Sequence, residues 1–197
     1  MVYVIGITGL SGSGKTYLTE GIEKLYPNEV QTISQDMYYK GTTGNALDYN
    51  FDTLSAIEIK KLHSDISGLK ANETIQHPDY DFSTHKRTSY KLIYPKKIIL
   101  LEGHLIFLDE EIRALTDIMV YLKVERDRAL IRRIKRDMKD RGRDLSEILM
   151  RYERDVYPIN QQIESLENKC DYVITNSDAN TIRDMIGKLI GQINESG

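Results

Sequence analysis

At 197 residues the chain is long enough for one well-packed domain and short for two. Hydrophobic residues at 40% and charged residues at 29% exclude a disordered chain, and a formal net charge of −3 gives no global pull toward nucleic acid or an anionic membrane. A lone cysteine, Cys170, excludes an internal disulfide, and no apolar run reaches bilayer length, so we expect a soluble, cytoplasmic protein with one domain over 1–197 and no signal peptide.

In chain order, "VYVIGIT" (2–8) reads as a buried strand ended by glycine, and "KTYLTEGIEKLY" as a helix with Leu18, Ile22 and Leu25 on one face, stopped by Pro27. "EVQTIS" (29–34) is a second strand. "TLSAIEIKKLHSDI" predicts a helix with Leu54, Ile57, Leu62 and Ile66 aligned and Asp52 or Thr53 as its cap. Between about 73 and 95 the ends "ETIQ" and "SYKLIY" around a polar middle predict a projecting hairpin. "KIILLEG" (97–103) and "DIMVYLKV" (117–124) are further strands. "RALIRRIKRDM" is a helix with Ile131, Ile134 and Met138 as its inner stripe, and a long helix starts near Leu145. The strand "DYVITN" and the helix "TIRDMIGKLIGQI" complete the chain. Alternating strands and helices argue an α/β three-layer fold, a five-stranded parallel sheet with helices on both faces.

The segment Gly9 to Thr16, "GLSGSGKT", fits G-x-x-x-x-G-K-[ST] in full between a strand and a helix. Gly9, Gly12 and Gly14 let the backbone curl so that N–H groups point at phosphate oxygens, with Ser11, Ser13 and Tyr17 in the same phosphate-binding set. The helix N-terminus adds partial positive charge, Lys15 a full one, and the Thr16 hydroxyl can ligate Mg²⁺. This predicts a nucleoside triphosphate, ATP or GTP, as phosphate donor. The D-x-x-G and N-K-x-D of a GTPase are missing, since the matching stretches read "LLEGH" and "TNSD".

Two carboxylates follow strands, where parallel sheets place their working groups. Asp36 and Glu102 can serve an acceptor hydroxyl as base and Mg²⁺ as ligand; alternatively Asp36 caps "MYYK" and Glu102 is a buried partner for an arginine. The run "RDRALIRRIKRDMKDRGRD" allows three readings: a nucleic-acid patch, a solvated helix face balanced by Asp127, Asp137, Asp140 and Asp144, or a lid over about 137–147. In the third, Arg133 and Arg136 lie one turn apart, Arg141 and Arg143 form a mobile tip beyond the helix, and all four meet the charge of a transferring phosphate.

Taken in order, "GLSGSGKT", "SQDMYY", "NFD", "YDFSTHKR", "LLEGHLIF" and "RRIKRDMKDRGRD" resemble the uridine kinase (uridine–cytidine kinase) family, within the group that includes phosphoribulokinase and nicotinamide riboside kinase. The resemblance implies an ATP- and Mg²⁺-dependent kinase acting on the 5′-hydroxyl of a nucleoside, uridine or cytidine, with Asp36 as base and as a Mg²⁺-side carboxylate beside Thr16 and Glu102. It also implies that Asp52 receives the ribose hydroxyls, that Tyr39, Phe51 and Tyr80 wall the pocket with Arg133, and that His85 reads the pyrimidine edge. Tyr80 and Phe82 alternate along the hairpin, so one of them should face a ligand.

The chain departs from the pattern on the acceptor side. Asp52 is followed by "TLSAIE", which resembles nicotinamide riboside kinase, and Arg151 stands where the family offers a glutamine. That arginine should add charge near the pocket or pair with Glu153 or Asp155. Nicotinamide riboside, a sugar phosphate or another small alcohol are the alternative acceptors within the mechanism, and a regulatory or nucleic-acid-associated NTP-binding protein is the alternative outside it. A homo-oligomer stays open.

Overall fold

The computed structural model describes residues 2–42, 44–175 and 179–195. Five parallel strands form one sheet in the order β2 (Val30–Ser34), β5 (Ile98–Glu102), β1 (Tyr3–Thr8), β6 (Ile118–Lys123), β7 (Tyr172–Thr175). The hairpin strands β3 (Ile75–Asp81) and β4 (Lys86–Ile93) pair separately as an antiparallel ribbon. The last predicted strand ends on Asn176, which with Ser177 and Asp178 lies outside the described residues.

Continuous apolar runs give strands buried on both faces, because each alternate side chain enters a different core. In β5, Ile98 and Leu100 join α1 (Lys15–Leu25) and α7 (Ala179–Glu195) through Leu18, Ile22, Ile182 and Ile186. Ile99 and Leu101 face the opposite way, onto Leu62, Ile66 and Leu69 of α2 (Ile59–Lys70) and Ile112 of α3 (Glu110–Leu115). The strand ends at Thr8, Ser34, Glu102 and Lys123 consequently finish on one edge of the sheet, where their loops form the site. No helix among the described residues is long and apolar enough to cross a membrane.

Three local expectations are corrected. The helix predicted from Thr53 begins at Ile59, after a short 3₁₀ turn at Leu54–Ala56, and neither Asp52 nor Thr53 caps it. Backbone pairing decides this: Ile57 bridges Tyr39, Lys40 N donates to Ala56 O and Glu58 N to Tyr38 O, which holds the segment extended.

The helix α4 (Arg126–Arg141) turns the opposite side inward from the one its apolar stripe predicts. Of the predicted stripe, Ile131 and Met138 are exposed and Ile134 is half-buried, while Ala129, Arg133 and Asp137 are buried. The inward positions are held by Arg133 and Asp137, which find their ion-pair partners in the site.

The helical stretch after Leu145 is not continuous. It runs as α5 (Leu145–Arg151), a π turn (Tyr152–Val156) and α6 (Tyr157–Ser165). Pro158 has no N–H to give Arg154 O, so the ladder widens ahead of it.

Candidate active site

The glycine loop closes tightly on α4. Gly12 sits at φ +89°, and a Cβ there would lie 2.3 Å from Ala129 O, so only glycine allows this approach. Left-handed Gly14 precedes Lys15, the first residue of α1, and no side chain caps the helix, leaving first-turn N–H groups available to an anion. Lys15 Nζ donates to Gly9 O and Leu10 O at 3.0 Å each. Burial pushes the Lys15 ammonium below its ordinary pKa, against the pull of Glu102 and Asp36. Exposed Tyr17 stands at the rim of this cleft, with Ser11 and Thr16 lining it.

Glu102 ties two strand ends to the loop. Its Oε1 accepts from Thr16 Oγ1 at 3.2 Å and from Ser34 Oγ at 2.5 Å. Burial and neighbouring Asp36 push its carboxyl above the usual range, and no arginine partners it among the described residues. The arginine-partner reading of Glu102 therefore fails.

Asp36 lies in a 3₁₀ turn (Gln35–Tyr38) directly after β2, and lines both the phosphate cleft and a second cavity behind it. In that second cavity Asp52 Oδ1 lies 3.1 Å from His104 Nε2, and Asp52 Oδ2 lies 3.7 Å from Arg133 Nη2. Burial would raise the Asp52 carboxyl, but Arg133, His104 and Arg141 outweigh it and hold the group well below the usual range.

The cavity wall is aromatic. Tyr39 meets Phe51 at 5.6 Å and Tyr80 at 5.5 Å, and His85 lies flat on Phe51 at 4.9 Å with 23° between the rings. Burial, then Arg143 and Arg151, push the His85 imidazole down, so it is neutral at pH 7 and can both donate and accept. The buried Tyr80 hydroxyl has no hydrogen-bond partner among the described residues, a polar group left for a ligand. Tyr80 and Phe82 both line the cavity, with ring centres 5.3 Å apart, which corrects the expectation that one of them would face a ligand: side chains two residues apart on a strand share a face.

The four arginines singled out in the sequence converge. Arg133 Nη1 donates to Ser11 Oγ at 2.8 Å; Arg141 lies 4.3 Å above the Phe82 ring and 3.9 Å from Asp36 Oδ2. Arg136 lines both clefts. Arg141, expected in a tip beyond the helix, is the last residue of α4; Arg141 and Arg143 both turn into the cavity with side chains 14% and 9% exposed. Guanidiniums turned inward in this way do not form an outward nucleic-acid surface.

Sequence reasoning missed His104, misjudged Asp137 and left the partners of Arg151 wrong. His104 follows the strand in "LLEGH", where position after a parallel strand was the available signal. Arg151 lines the cavity and adds charge there, as the first of its two expectations had it, and pairs with neither Glu153 nor Asp155. Its Nε donates to Glu147 at 2.8 Å, its Nη2 to Ala46 O at 2.7 Å, and its guanidinium lies 5.6 Å from the Phe51 ring centre. Asp155 is taken by Arg154 instead.

This geometry agrees with the comparisons. The family model described as phosphoribulokinase/uridine kinase matches residues 4–183. The chain belongs to the phosphoribulokinase/uridine kinase family. The uridine kinase of Chlamydia pneumoniae is 36% identical over 181 residues, 88% of this chain and 82% of that protein. The uridine kinase of Borrelia turicatae is 40% identical over 156 residues, covering 77% and 75%. In fold, this member of the family is similar to phosphoribulokinase from Rhodobacter spheroides (TM-score 0.59, 16% identity, 82% and 67% of the chains). Its relatives make the chain a phosphotransferase of the nucleoside kinase type, with a small-molecule substrate and ATP as the phosphate donor of its kinase class.

Proposed function

We propose that the protein transfers the γ-phosphoryl group of ATP to the 5′-hydroxyl of uridine or cytidine. Asp36 carries the reading: one carboxylate borders both the phosphate loop and the aromatic cavity, where a hydroxyl and a γ-phosphate must meet. The hydroxyl proton passes to Asp36 as the new O–P bond forms, and the β–γ bridge bond breaks to release ADP. Arg133, Arg136, Arg141 and Arg143 meet the charge spread over the transferring oxygens. Thr16 and Glu102, with Asp36 nearby, suit Mg²⁺, which takes few protein oxygens and keeps phosphate and water ligands; the ion would supply charge neutralisation on the triphosphate.

On the acceptor side, Asp52 receives the ribose hydroxyls, while Tyr39, Phe51 and Tyr80 enclose the nucleoside and neutral His85 faces the base edge. The unpartnered Tyr80 hydroxyl supports a polar ligand there. The rest of the chain serves this chemistry as one domain.

The test is ADP release by purified protein with ATP, Mg²⁺ and a panel of alcohols. Uridine and cytidine should stimulate release and yield 5′-monophosphates. Preference for nicotinamide riboside or a sugar phosphate would replace the acceptor and leave the mechanism. In Asp36→Asn, kcat should fall by about 10²–10⁴ while ATP binding survives; full activity would remove Asp36 as the base.

A further inference from the structure

Asp137 has a carboxylate with no solvent exposure, in the middle of the helix that carries the arginines. Four guanidiniums approach it: Arg136 at 2.8 Å, Arg143 at 3.3 Å, Arg141 at 3.5 Å and Arg133 at 3.8 Å. Two of these come from α4 upstream of Asp137, one from its last residue and one from beyond the helix. Gly142, left-handed at φ +63°, reverses the chain so that Arg143 N donates to Asp137 O at 3.1 Å and its side chain returns over the same residue. The bland account of an acid in a basic helix, a solvated i,i+4 partner, does not apply to a group with zero exposure.

Four guanidiniums packed together repel one another strongly where water is excluded. A carboxylate at their centre offsets part of that repulsion and orients them while leaving the cluster net positive, and a preorganised cationic cluster needs no rearrangement when phosphate charge develops. We propose that Asp137 is a positioning residue for phosphoryl transfer, gathering Arg133, Arg136, Arg141 and Arg143 into a phosphate-ready cluster before substrate arrives. The inference rests on the kinase reading for its catalytic consequence, but not for the arrangement itself.

The test compares the full-length parent with Asp137→Asn, Asp137→Glu and, as a charge control on the same helix, exposed Asp140→Asn. Two readouts are used: steady-state kinetics with ATP, Mg²⁺ and uridine, and trypsin cleavage after Arg141 and Arg143 in the native protein without substrate. In Asp137→Asn, kcat should fall by about 100-fold or more with both KM values within about threefold. Cleavage at the two arginines should accelerate by about tenfold or more, since local opening governs it. Asp137→Glu should fall between, and Asp140→Asn should match the parent. If Asp137→Asn does not fold, Asp137→Glu decides by the same two readouts. Parental kcat and cleavage in Asp137→Asn, loss of kcat with parental cleavage, or the same losses in Asp140→Asn would each overturn the inference. If the parent phosphorylates no acceptor at all, the functional reading falls, and the trypsin comparison alone decides this one.

Discussion

His104 Nε2 stands 3.1 Å from Asp52 Oδ1, joining the loop after strand β5 to the acceptor segment far upstream in the chain. With Arg133 on the other oxygen, Asp52 is fixed from two sides and kept ionised. Removing the imidazole in His104→Ala frees one oxygen of a buried carboxylate at a cost of about 1–1.5 kcal/mol, roughly a tenfold effect. The nucleoside KM should rise by that factor in steady-state assays, with the ATP KM within about twofold. An equal rise in both would place His104 on the phosphate side instead.

Glu102 accepts from both Thr16 and Ser34, which sets its oxygen beside the loop. Glu102→Gln keeps the volume and hydrogen-bonding capacity but removes the charge. The Mg²⁺ concentration for half-maximal rate should rise by about tenfold or more, read from a Mg²⁺ titration at fixed ATP. An unchanged Mg²⁺ curve would take Glu102 out of the metal site.

Arg151 ties α5 to the carbonyl of Ala46 and, at 3.5 Å, to that of Tyr49, beneath the Phe51 ring. In Arg151→Gln the shorter amide cannot span Glu147 and both carbonyls, so the acceptor wall loosens. We expect the nucleoside KM to rise by about tenfold and kcat to fall less than threefold. A change in kcat alone would mean that Arg151 acts on the transferring phosphate.

His77 supplies a pH dependence of stability. It is buried across from Lys91 and edge-on to Tyr38 at 5.4 Å, and neither ring nitrogen has a hydrogen-bond partner among the described residues. Burial, then Lys91, push its imidazole down from 6.5 to about 4. Between those values the unfolded chain binds a proton that the folded one refuses, so stability is lost as pH falls from 6.5 to 4. Thermal unfolding of His77→Phe should show a shallower loss of Tm across that window than the parent. Parallel curves would assign the acid sensitivity to other groups.

The strands, the phosphate loop and the family motifs were legible because each is written locally. Buried parallel strands read as unbroken apolar runs, and "GLSGSGKT" specifies its own backbone. Asp36 and Glu102 could be picked out because strand ends fall on one edge of a parallel sheet. Local pattern failed where distant partners compete with it. Ile131 and Met138 predicted the inner face of α4, yet the helix turns Arg133 and Asp137 inward, since a buried carboxylate with four guanidiniums needs residues on both sides of a chain reversal. Arg151 stood out only as a departure from the family pattern, and His104 not at all; their partners, the carbonyl of Ala46 and the carboxylate of Asp52, come from distant segments.

The sequence by itself thus determined the order of elements, the anion-binding loop and the kind of chemistry, all properties of neighbouring residues and their spacing. Which side chains share a charge, which face of α4 turns inward and how the acceptor wall is braced were decided by the tertiary structure alone. The reason is physical: the energy of a buried charge depends on every group around it, and those groups come from segments that only folding brings together.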